Sequence, residues 1–195
     1  MKRLRNNSSI MQEKKENLSN EDMKIHILMK DKRWEKFPLK KICQRTLRLA
    51  LVSTNGEIEK CGISVLASND KEIANLNLKF RGFDKPTNIL SWPEYDLKND
   101  KPGALPKKLC KILESRGDEL SLGNLALSFD TCQIEAENRL IKFKDHITHL
   151  LLHGCLHLLG FNHEEAQDAK RMEKIEINLL SSIGIKNPYQ SKQCR

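Results

Sequence analysis

Histidines 153, 157 and 163 stand in the run His153-Gly154-Cys155-Leu156-His157-Leu158-Leu159-Gly160-Phe161-Asn162-His163, a spacing that permits few local folds. Four residues of α-helix turn a side chain through roughly 400°, so His153 and His157 leave one helix face about a turn apart. Two imidazoles so placed can grip one ion. Gly160 then ends the helix in the left-handed conformation that glycine adopts without steric cost, which swings His163 back as a third ligand. Three protein ligands leave a coordination position open, as in catalytic zinc sites, whereas structural zinc is normally closed by four. His146 and His149 precede the motif at helical spacing and need only the ordinary hydrogen bonds of a histidine-rich helix face.

The same letters exclude two rivals. Metzincin proteases share this histidine spacing but carry a glutamate general base beside the first histidine, where this chain has Gly154. A closed zinc finger needs short-spaced cysteine pairs, and Cys43, Cys61, Cys110, Cys132, Cys155 and Cys194 form none. That spacing also lacks a disulfide framework, so free thiols in a reducing cytoplasm are expected.

A chain of 195 residues fits one compact domain. No apolar stretch approaches the 18 residues of a membrane span, and the basic N-terminus is not followed by an apolar signal core; no membrane association is expected. The net charge of +8 is unevenly spread. Between Lys30 and Arg48, eight basic residues (Lys30, Lys32, Arg33, Lys36, Lys40, Lys41, Arg45, Arg48) face two acidic ones, Asp31 and Glu35. Such a band suits a polyanion such as RNA backbone, or is simply a solvated helix face. No aromatic platform for base stacking is interleaved with it.

Periodicity divides the chain into a polar, disordered extension over 1–22, a folded domain over 23–183 and a polar tail over 184–195. Strands are expected at 24–29, 63–67, 88–91 and 124–129. Helices are expected at 39–52, 71–80 (capped by Asn69 or Asp70), 132–141, 145–159 and 165–182. The last carries Ala166, Ala169, Met172, Ile175, Leu179 and Ile183 along one side. Residues 95–117 are irregular apart from a short helix over 107–114. The predicted fold class is α+β: a single small mixed sheet packed with helices, the metal-binding histidines lying on a central core helix and the loop after it.

Two segments are similar to those of the YbeY family of bacterial endoribonucleases. The histidine run resembles the signature H-G-x-L-H-L-x-G-[YF]-D-H. The stretch Asn77-Leu78-Lys79-Phe80-Arg81-Gly82-Phe83-Asp84-Lys85-Pro86-Thr87-Asn88-Ile89-Leu90-Ser91-Trp92-Pro93 resembles N-x-x-[FY]-R-G-x-D-x-P-T-[DN]-V-L-S-F-P. The resemblance implies one zinc ion on His153, His157 and His163, and hydrolysis of single-stranded RNA. It also implies a part in maturation and quality control of small-subunit ribosomal RNA, with Arg81 as a catalytic residue facing the metal cleft. A guanidinium suits that role, since it stays charged and offers forked donors to phosphate oxygens. Two positions depart from the family pattern, Asn162 and Asn124, each standing where aspartate is usual and each removing a carboxylate. Glu164 and Glu165 are expected in the first turn of the next helix, serving its dipole rather than the chemistry. The alternative to an enzyme is an RNA- or ribosome-binding assembly factor whose metal is mainly structural.

Overall fold

The computed structural model describes residues 23–53, 61–107 and 120–190. The expected N-terminal extension, residues 108–114 of the expected short helix and the end of the tail lie outside these. Strands β1 (Met23–Met29), β2 (Cys61–Ser68), β3 (Ile89–Pro93) and β4 (Leu120–Ser128) form one sheet in the order β1-β2-β4-β3. β1 and β4 both run parallel to β2, and β3 closes the far edge antiparallel to β4, so the sheet is mixed. Helices α1 (Leu39–Ser53), α2 (Asp70–Arg81), α3 (Phe129–Asn138), α4 (Phe143–Leu158) and α5 (Ala166–Ser181) complete an α+β fold.

α4 runs through the core, burying Ile147, Leu151, Leu152, Cys155, Leu156 and Leu158 together with the polar His146, Thr148 and His149. Gly154 lets it lie close on the sheet, since a Cβ there would stand 2.7 Å from Leu125 and 3.0 Å from Ile89. α1 covers the same core with Leu39, Ile42, Cys43, Leu47 and Leu51.

Three local features differ from expectation. A 3₁₀ turn over Lys32–Lys36 starts where Asp31 accepts the Arg33 backbone N–H, and it buries Trp34, whose indole N–H donates to the Ser68 carbonyl at 2.9 Å. β4 begins at Leu120 rather than Asn124. A bulge at Leu122–Gly123, two residues opposite Ile63, carries the strand past a glycine whose φ of 129° hides it from a simple alternation pattern. α3 starts at Phe129, directly after β4, because Phe129 turns into an aromatic cluster with Trp34, Phe37 and Phe143.

α4 ends in a Schellman motif. Phe161 N–H donates to the Leu156 carbonyl and Gly160 N–H to that of His157, each at 3.0 Å, with Gly160 at φ 87°. A Cβ on Gly160 would also meet the Leu97 backbone at 2.6 Å. Gly160→Ala is therefore expected to destabilise the protein by about 1–3 kcal/mol, from left-handed strain and overpacking together. Urea unfolding checks this as a lowered midpoint at unchanged slope.

Candidate metal centre

Each histidine of the motif reaches the same place by a different local device. His153 and His157 project one turn apart from α4, and the reversal at Gly160 returns His163 to them. One nitrogen from each imidazole lies within 4.8 Å of the others. The rings pack at centroid distances of 4.5 Å for His153 and His157 and 5.0 Å for His157 and His163.

Hydrogen bonds fix which nitrogens are available. His153 Nδ1 sits 2.8 Å from Glu176 Oε1 and His157 Nδ1 sits 2.9 Å from the Phe161 carbonyl. Both acceptors require a proton on Nδ1, so that in the neutral ring Nε2 is the nitrogen that carries the lone pair. Those two Nε2 atoms face each other at 3.0 Å. Lone pairs so placed repel unless a proton or a cation lies between them. Metal–nitrogen bonds of about 2.0–2.1 Å in tetrahedral geometry place ligand atoms roughly 3.3 Å apart, so the pair fits a shared ion.

Glu176, absent from the sequence-based list, is the acidic group behind the site. It is fully buried in α5 and accepts from His149 Nε2 at 3.0 Å, from His153 Nδ1 and from the Tyr189 hydroxyl. Burial by itself would raise its pKa, but the donors outweigh burial and take it down to about 2. Burial, with His153 and His163 nearby, pulls His157 from 6.5 to about 4, so it is neutral and available as a ligand at physiological pH. Burial likewise lowers His149, against the pull of Glu176. The signal for Glu176 lay in the α5 pattern: it falls four residues after Met172 and four before Leu180, both buried, so the apolar stripe has a carboxylate at its centre.

The histidines form one wall of a cleft of about 750 Å³, which Arg81, Asn88, Ser91, Tyr95, Lys98 and Glu164 also line. Arg81 is the last residue of α2. Gly82, at φ 75°, ends that helix, and its N–H donates to the Leu78 carbonyl. The guanidinium carbon lies 5.7 Å from the Phe83 ring centre. Asn77 holds the following loop through its amide, which donates to the Lys85 carbonyl at 2.8 Å. Asn88 donates to Glu135, which also binds buried His146 at 2.8 Å. His146 and His149 thus serve hydrogen bonds, as their spacing allowed.

Glu164 and Glu165 are placed differently from expectation. Glu165 is the residue before α5 and Glu164 precedes it; the acid in the first turn is Asp168, which accepts the Gly103 N–H at 2.8 Å. Glu164 pairs instead with Lys98, which also lines the cleft. Asn162 accepts the Glu164 backbone N–H at 3.1 Å. Asn124 is not at the cleft. Its neighbour Leu125 packs under α4, so Asn124 points to the opposite face of the sheet, into a groove shared with His26, Leu28, Phe80 and Trp92.

Replacing Glu176 by Gln should weaken divalent-metal binding by roughly 10- to 100-fold, because an amide holds the His153 ring without the carboxylate charge. Glu135→Gln alters the carboxylate paired with His146, which is none of the three motif histidines, and should leave metal affinity unchanged. Competition against a chromophoric chelator reads both.

The family model described as Endoribonuclease YbeY matches residues 9–184. The endoribonuclease YbeY of Dinoroseobacter shibae is 40% identical over 169 residues, covering 86% of this chain and 91% of its own. That of a Jannaschia species is 40% identical over 167 residues, covering 86% of this chain and 100% of its own. A solution structure from Thermotoga maritima is 19% identical with a TM-score of 0.47, covering 88% of this chain and 99% of that one. A family model matched across most of the sequence, and relatives this similar over nearly their whole lengths, show that the chain belongs to the endoribonuclease YbeY family.

Proposed function

We propose that residues 23–183 form a zinc-dependent endoribonuclease that cuts single-stranded RNA in the cytoplasm, in the maturation and quality control of small-subunit ribosomal RNA. The observation that carries this reading is the convergence of His153, His157 and His163 on one point of a cleft that Arg81 also lines. Family membership supplies the reaction class, cleavage of RNA phosphodiesters.

Three imidazole nitrogens suit zinc, although such a nitrogen set also accepts other divalent transition metals. Bound there, the ion supplies a Lewis acid and lowers the pKa of water toward neutrality. The protein's own groups do the rest. Glu176 and the Phe161 carbonyl hold the first two rings in the tautomer that ligates. Arg81 orients the scissile phosphate with paired N–H donors and offsets the charge that develops on its oxygens. An unpaired strand is flexible enough to follow such a cleft, which favours single-stranded substrate.

Single-turnover cleavage of a labelled ribosomal RNA fragment by metal-stripped protein should return when zinc is added. Arg81→Ala should lower the rate by roughly 100-fold or more. His157→Ala should abolish cleavage while sparing RNA affinity; unfolding of that variant would instead mark the metal as structural. Tight RNA binding without cleavage under any added metal would leave an assembly factor in place of an enzyme.

A further inference from the structure

The basic stretch recognised in the sequence divides into two parts in the fold. Lys30 pairs with Glu72, and Arg33 pairs with Asp31 and Asp130. Lys36, Lys40, Lys41 and Arg45 are exposed and have no ion-pair partner among the described residues. At 100° per residue, Lys40, Lys41 and Arg45 fall within one side of α1, and Lys36 leads into it. No acidic residue occurs anywhere in α1. Unpaired cations on one face of a rigid helix repel one another, a cost that an external polyanion relieves.

We propose that the outer face of α1 is a second RNA-contacting surface, separate from the cleft, which holds the phosphate backbone of a long substrate while the cleft works on another part of the strand. The proposal rests on the endoribonuclease reading for the identity of its partner. Anionic lipid is disfavoured by the same helix. An amphipathic helix that lies on a membrane needs its apolar face free to enter the acyl boundary, and here Leu39, Ile42, Leu47 and Leu51 are buried in the core. None of the four cations lines the cleft. Their removal should therefore spare catalysis on a strand short enough to occupy the cleft alone.

The test combines Lys36→Gln, Lys40→Gln, Lys41→Gln and Arg45→Gln in one variant, with its fold confirmed by circular dichroism. Binding of a long, nuclease-resistant 2′-O-methyl strand is read by fluorescence anisotropy between roughly 50 and 200 mM salt. Each phosphate contact in a single strand contributes about 0.7 to the log–log salt slope, so the slope should fall by up to about 3 and the affinity by at least roughly 10-fold. Cleavage of a tetranucleotide should match that of the natural protein. Unchanged slope and affinity would overturn the proposal, as would a loss confined to binding of phosphatidylserine vesicles. If the natural protein cleaves neither the tetranucleotide nor an unmodified long strand, the endoribonuclease reading fails, and anisotropy, which needs no cleavage, still decides whether α1 holds RNA.

Discussion

The buried carboxylate of Glu176 sets the conditions under which the rest of the structure works. A charge without solvent must be met by donors, and removing one partner of a buried pair costs about 3–5 kcal/mol. Here His149 and His153 of α4 and Tyr189 of the C-terminal segment all converge on it. The bonds tie α4, α5 and the segment after α5 to one point, and the same carboxylate fixes the tautomer of the first metal-site imidazole. Core packing and ligand orientation are therefore one problem with one solution.

Around that point the chain places the groups of the candidate site by ending helices at glycine. Gly82 ends α2 just after Arg81, and Gly160 ends α4 so that His163 folds back. Two imidazoles then stand on a core helix, and the remaining groups occupy helix termini and loops that can adapt to a strand of RNA. If His153 and His157 hold an ion, this rigid mounting preserves their spacing while substrate enters and leaves.

The legible part of this site was local. His153, His157, Gly160 and His163 lie within eleven residues, and helix geometry alone converts their spacing into convergence. Most elements were likewise visible, since amphipathic and alternating patterns are local properties. Glu176 lies 23 residues from His153 and binds it only through tertiary packing; a carboxylate amid an apolar stripe was the one available clue. The start of β4 was hidden by a bulge at Gly123, and the 3₁₀ turn by its length of five residues. Glu164 was misplaced because its partner, Lys98, comes from a distant loop. In the basic band, sequence counted charges but could not separate those neutralised by Glu72 and Asp130 from those left facing solvent.

Three imidazoles, the first held from behind by Glu176, are proposed to bind one divalent ion. Cobalt(II) titration of the metal-stripped protein, followed by visible d–d absorption, tests it most directly. Saturation is expected at a single cobalt per chain with a low-coordinate, nitrogen-ligand spectrum, lost in His163→Ala while the fold is retained. Saturation that survives loss of His163 and of His157, or no binding by the folded natural protein, would contradict it.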